Sequence, residues 1–326
     1  MNQDPQLATS DLASLLKAAG DPLRLEILRI LQRDSYGVLE LCQILDLRQS
    51  ALSYQLKVLA KAGLVTTRKE ANTIFYRRAS ATGPQATLLD ELFGRIDKLA
   101  LRPELQSGID AVQTERTEAA RDFFERNAKR FHEYQDLIAS HNDYGEAICG
   151  FLDSIVPASA DNVLEVGPGE GELLPALSKR FKNVTALELS SEMLANCQEL
   201  SSKQALTNIQ FFHGDTREAL NEGISADCIT INMVLHHTPS PADVFADLGG
   251  LLNPGGTLLV TDLCRHDQGW AKEACGDQWL GFEPEDLTEW ALEAGLSEGQ
   301  SQYLALRNGF RVQLRHFVKD GRTSHV

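Results

Sequence analysis

The feature that most constrains this chain is an apolar strand running into three closely spaced glycines, Asn162-Val163-Leu164-Glu165-Val166-Gly167-Pro168-Gly169-Glu170-Gly171. The glycines permit a tight turn and let the backbone approach a ligand, and a helix starts just after them. Such a turn alone is weak evidence, because several nucleotide cofactors use similar ones. Its sequel is more specific. A second strand, Ala186-Leu187-Glu188, ends in an acidic residue suited to accept from the two hydroxyls of a ribose. A third, Ile209 to His213, runs into Gly214-Asp215-Thr216, where Asp215 is suited to accept from an adenine amino group. A fourth runs from Ala226 through Asn232 to His236 and His237. Leu251 to Asp262 reads as a helix end, a turn at Asn253-Pro254-Gly255-Gly256 and a fifth strand. Open parallel sheets bind ligands at the carboxyl ends of their strands, where all these polar residues fall. The expectation is an α/β, Rossmann-like, doubly wound sheet.

These five segments, in this order and spacing, resemble the class I S-adenosylmethionine (SAM)-dependent methyltransferases over about residues 120–320. The resemblance implies SAM as cofactor and S-adenosylhomocysteine (SAH) as product. It implies Glu165, Gly167 and Gly169 near the methionine part, Glu188 on the ribose, Asp215 and Thr216 at the adenine, and Asn232 near the sulfonium. Pro168 stands where many members carry a less rigid residue. Methyl transfer is an in-line attack, so the protein mainly positions the acceptor and excludes water. Asn232, His236 and His237 are the candidate catalytic residues, with hydrogen-bonded structural histidines as the alternative. Trp270, Trp279 and Trp290 either line an acceptor pocket or fill core. Cys264 and Cys275 lack the paired spacing of a metalloid trap, and no metal site is expected.

The first 80 residues are of another kind. Leu12, Leu15, Leu16 and Ala19 have helical spacing, closed by Gly20. Asp21 and Pro22 open a second helix, as N-cap and first helical residue. A short helix ends about Leu45, the next runs from Gln49 or Ser50 to Gly63, and two β-rich runs flank Glu70-Ala71-Asn72. That order is a winged helix-turn-helix (α+β), whose second helix reads the major groove. Arg48, Gln49, Ser50, Ser53, Tyr54 and Lys57 are the candidate DNA contacts, with Arg68, Lys69 and Asn72 on the wing.

Residues 17–28, 49–59 and 62–65 carry a resemblance to the ArsR/SmtB family of winged-helix repressors, in which homodimers bind palindromic operators under the control of a ligand. Metal-sensing members carry a cysteine pair in the helix that here reads Glu40-Leu41-Cys42-Gln43-Ile44-Leu45, where only Cys42 stands. One thiolate is a poor trap for a soft metal.

Between the two lies a helical segment. The apolar stripe Leu88, Leu89, Leu92, Phe93, Ile96 and Leu99 suggests a dimerisation helix or packing on its own domain. Phe123, Phe124, Phe131 and Tyr134 lie on a further helix that packs on the next domain, covers the cofactor, or both. The expected division is 1–83, 84–150 and 151–326.

The net charge of −15 looks wrong for a DNA binder, but it is unevenly spread. Residues 1–80 hold 11 Lys+Arg against 8 Asp+Glu, and the rest hold 20 against 38. Phosphate binding answers to the field within roughly 8–10 Å, so a mildly basic module on an acidic body can bind DNA. The polar start lacks the pattern of a signal peptide, no run of apolar residues is long enough to span a membrane, and six scattered cysteines fit a reducing compartment. A cytoplasmic homodimer is expected, with operator DNA, SAM or SAH and a small-molecule methyl acceptor as partners. The expected activity is transcriptional regulation together with methyl transfer. The alternative is a repressor whose second domain only senses SAM or SAH.

Overall fold

The structure, a computed structural model, describes residues 8–70, 73–80 and 83–321, without the side chains of 83, 120, 124–134 and 273. Asn72, and the side chains of Phe124, Phe131 and Tyr134, therefore lie outside the described residues. The chain divides into two compact units, Met1–Arg116 and Thr117–Val326.

The first unit opens with α1 (Thr9–Ala19) and α2 (Pro22–Ile30). Asp21 caps α2 by accepting from the Arg24 amide at 3.1 Å, satisfying one of the amides that a helix start leaves bare. Then come β1 (Tyr36–Gly37), α3 (Val38–Leu45), α4 (Gln49–Lys61) and the hairpin of β2 (Val65–Glu70) and β3 (Thr73–Arg78). Asp46 turns the chain between α3 and α4 in a left-handed conformation, φ 50°, which Asp tolerates better than most residues. The two-residue β1 pairs with β3 and was not legible in the sequence.

Leu52, Leu56 and Leu59 of α4 are buried with Ile27 and Leu28 of α2 and Leu41 of α3. Leu89, Phe93 and Ile96 of α5 (Ala86–Ile96) join the same core. Most of the α5 stripe is thus used within its own unit, while Leu99, beyond the helix end, is 50% exposed. The long α6 (Pro103–Ile138) begins in this unit. Gly108 lets it lie against the backbone of α3, where a Cβ would stand 2.9 Å from Ile44 Cα. Arg116 then grips both oxygens of Glu40 on α3 at 2.7 Å, and the carbonyl of Ser35 at 3.0 Å.

In the second unit α7 (His141–Ile155) precedes alternating strands and helices: β4 (Asn162–Val166), α8 (Leu174–Arg180), β5 (Asn183–Glu188), α9 (Ser191–Lys203), β6 (Ile209–His213), α10 (Thr216–Asn221), β7 (Ala226–Asn232), α11 (Pro241–Leu251) and β8 (Leu252–Leu263). After α12 (Trp270–Cys275) and α13 (Pro284–Glu293), β9 (Leu296–Ala305) and β10 (Arg311–Lys319) complete a seven-stranded sheet in the order β6-β5-β4-β7-β8-β10-β9. The first five strands are parallel, and β10 is antiparallel to both its neighbours. The fold is therefore α/β, comprising a winged helix-turn-helix unit and a unit with a Rossmann-like sheet. The antiparallel pair β9 and β10 lies beyond the five strands legible in the sequence.

The fourth strand is shorter than expected. It ends at Asn232, because Met233 adopts a left-handed φ of 57°, and His236 and His237 lie in a 3₁₀ turn, Leu235–His237.

Candidate cofactor site and nucleic-acid face

The order of strands reverses between β4 and β7, the position where open α/β sheets form a ligand crevice. Register places Glu165 of β4 opposite Thr230 of β7. The Thr230 hydroxyl donates to Glu165 Oε2, and Asn232 Nδ2 donates to Oε1 at 3.0 Å. Burial pushes the Glu165 carboxyl up to about 7, against the pull of those two hydrogen bonds. Asn232 Oδ1 is buried and has no hydrogen-bond partner among the described residues.

The glycine turn starts one residue after β4. The Gly167 amide donates to the Leu187 carbonyl at 2.8 Å. Its φ is +64°, and a Cβ there would sit 2.5 Å from Val234 Cγ2, so backbone angle and space both require glycine. Gly169 also has a positive φ, +58°, but among the described residues no atom beyond its chain neighbours lies within 4 Å of its Cβ position. Glu188, at the end of β5, accepts from the Ser190 amide at 2.9 Å and from the Gly169 backbone, while burial raises its carboxyl. Cys197 of α9 backs the turn, its thiol donating to the Gly169 carbonyl at 3.1 Å.

Glu165, Gly167, Gly169, Glu188 and Asn232 thus lie around the ends of β4, β5 and β7. Asp215 and Thr216 sit beyond β6, the next strand. Asp215 is exposed and caps α10 by accepting from the Glu218 amide at 2.8 Å. Thr216 is buried, and its hydroxyl donates to Asp247 Oδ2 at 2.9 Å. Tyr144 of α7 was not singled out in the sequence. It is buried, and its hydroxyl is pushed up by burial and by Glu172, Glu165 and Asp262, which places it beside the site. A lone tyrosine on an amphipathic helix carries no local sign of this.

His236 and His237 are buried at 1% and 8% exposure. His236 Nδ1 is 2.7 Å from Asp262 Oδ1. The His236 carbonyl accepts from the Gln278 and Trp279 amides at 2.8 and 3.0 Å, so the segment after α12 is laced onto the 3₁₀ turn. Burial opposes a charge on His236, but Asp262 and Asp277 outweigh it and raise the imidazole to about 9. His237 is held well below the usual range by burial and by its charged neighbour. Of the tryptophans, Trp279 is buried and donates to the Thr238 carbonyl at 2.8 Å. Trp290 packs on Phe245 and Phe282, and Trp270 is 40% exposed.

On the first unit, Arg48, Gln49, Ser50, Ser53, Tyr54 and Lys57 are all exposed, at or along α4, with Tyr54 at 64%. Positions 49, 50, 53, 54 and 57 repeat at helical spacing and share one face. Lys69 is exposed on the wing. Arg68 is not: it is 6% exposed and paired with the buried Glu70. A guanidinium committed to a buried carboxylate is not presented to phosphates, so the expectation of a DNA contact is corrected at this position.

Comparison with known proteins gives the class of each part. Residues 21–67 match the family model described as bacterial regulatory protein, arsR family, and residues 164–260 match the methyltransferase domain. One segment of the chain is thus similar to arsR-family helix-turn-helix proteins, and a later one to methyltransferase domains. An uncharacterized methyltransferase of Mycobacterium tuberculosis is 35% identical over 109 residues, 33% of this chain and 54% of its own length. The ubiquinone biosynthesis O-methyltransferase of Paracidovorax citrulli is 27% identical over 44% of this chain and 60% of its own. The chain therefore spans little more than half the length of these curated relatives. Among solved structures, a chain of the complex between the Haloferax volcanii Trm112 methyltransferase activator and a methyltransferase superposes with a TM-score of 0.52 at 18% identity, covering 63% of this chain and 100% of that one. At that identity it speaks for the fold.

Proposed function

We propose that this chain is a DNA-binding transcriptional regulator whose methyltransferase domain binds SAM or SAH and so sets its affinity for an operator. The observation that carries the reading is the coincidence, in one chain, of an exposed polar face on α4 and a polar-ended strand reversal beside a glycine turn. The second site fits an adenosyl amino acid. Gly169 leaves room for close approach, Asn232 Oδ1 offers a buried acceptor, and Glu165 offers a buried carboxylate to an ammonium group. Glu188 would hold the ribose, and Asp215 the adenine amino group. Thr216 would contribute through its backbone, since its hydroxyl is engaged by Asp247. The proposed regulator acts in the cytoplasm as a homodimer, to which the exposed Leu16 and Leu99 would contribute. The helical segment 84–150 is the proposed transmitter, because Arg116 of α6 grips Glu40 of the helix-turn-helix.

Methyl transfer to a small molecule is the second reading. Asn232, at the polar end of β7 beside Glu165, favours it, and a relative's name, O-methyltransferase, points to an oxygen acceptor. Bound SAM would supply an activated methyl group. The chain's part would be to orient the acceptor and exclude water. With His236 only 1% exposed and held by Asp262, we assign it no general-base role.

Calorimetry of the full chain with SAM and with SAH tests the main reading, alongside mobility shifts on a duplex selected from a random library. Glu188→Ala should weaken ligand binding at least tenfold and leave ligand-free DNA affinity unchanged. No heat with either ligand would sink the proposal.

A further inference from the structure

A buried cluster just past β7 lies outside the residues assigned above to the adenosyl ligand. Its members come from two places: His236 and His237 from the 3₁₀ turn, and Asp277 from the segment after α12. His236, His237 and Asp277 are all buried, and each offers a ligand atom within 4.8 Å of the others. His236 Nε2 is 3.9 Å from Asp277 Oδ1, and His237 Nδ1 is 3.6 Å from the same oxygen. These separations are too long for hydrogen bonds. They suit donors around a shared ion, where bonds of about 2.0–2.2 Å set neighbouring donors roughly 3.3 Å apart in a tetrahedron.

A further observation supports an ion. Asp262 Oδ1 lies 2.7 Å from His236 Nδ1, which leaves Nε2 to ligate. A carboxylate behind a histidine in this way is the usual outer support of a metal ligand.

The geometry points to a site for a divalent first-row transition ion, with Zn²⁺ the best match, bound by His236, His237 and Asp277 and braced by Asp262. Two imidazoles and one carboxylate suit zinc, iron or copper better than the oxygen-preferring magnesium or calcium. Three protein ligands leave at least one position for water or an exogenous donor. The cysteine words of the sequence gave no hint of it, because Asp277 lies 40 residues from His237.

The test uses the full chain, stripped with a chelator and dialysed against Zn²⁺ alone, then against Co²⁺. One Zn²⁺ per chain is expected by mass spectrometry, and Co²⁺ should show visible bands of a four- or five-coordinate site. Asp277→Asn and His237→Gln should lose stoichiometric binding, and Asp262→Asn should weaken it about 10–100-fold, with folding checked by circular dichroism. Absence of binding by the unsubstituted chain overturns the proposal, as does equal binding by folded Asp277→Asn and His237→Gln. Should those variants not fold, the Co²⁺ spectrum of the unsubstituted chain decides: the bands of the hexaaqua ion alone would contradict a site.

Discussion

Glu165 shows how one side chain joins fold and ligand. A carboxyl raised to about 7 by burial stabilises the ligand-free fold at low pH, and that contribution is lost as pH rises through about 7, where the buried group must ionise. Glu165→Gln removes the cost. Thermal unfolding should show the variant about 1–3 kcal/mol more stable than the parent at pH 8, with little difference at pH 4. Ligand binding should run the other way. An ammonium group prefers the carboxylate, so SAM affinity should fall about tenfold per unit as pH drops below about 7. Calorimetry across pH checks this, and a slope that survives in Glu165→Gln contradicts the role. The glutamate's place was legible from the strand and turn around it. Its partner Thr230 was not, since only the register of β4 with β7 brings the two together.

At the scale of elements, propensity and capping carried most of the reading. Asp21-Pro22 set the start of α2, and the apolar spacing of α4 set which face is buried, leaving Gln49, Ser53 and Lys57 outward. Where the sequence misled, the cause was tertiary. Alternation along β2 does not say which of Arg68 and Lys69 turns inward. The late antiparallel strands are polar, with β9 largely exposed at the sheet edge, and so lack the apolar runs of the central ones. The end of β7 was missed because a left-handed methionine is not visible in composition. The wing gives a direct comparison. Lys69→Ala should weaken DNA binding, lower its salt slope by about one and leave the melting temperature unchanged. Arg68→Ala should instead destabilise the fold by about 3 kcal/mol, because it breaks a buried ion pair with Glu70. Denaturation and salt-dependent mobility shifts on both variants separate the cases, and an unchanged melting temperature for Arg68→Ala would contradict a structural pairing.

For the whole molecule, an allosteric claim requires that ligand bind the DNA-competent and DNA-incompetent states unequally. Arg116 belongs to α6 yet holds α3 through Glu40, so Arg116→Met should reduce the effect of ligand on DNA affinity while leaving ligand affinity in the absence of DNA within about threefold. Calorimetry beside mobility shifts would show whether the two responses separate. The most direct test of the central claim is operator affinity of the full chain at saturating SAM or SAH against none. A change of about fivefold or more with at least one of them, the usual range of allosteric coupling, is the predicted result. Identical affinities with and without either ligand, in a chain that calorimetry shows to bind both, would contradict it.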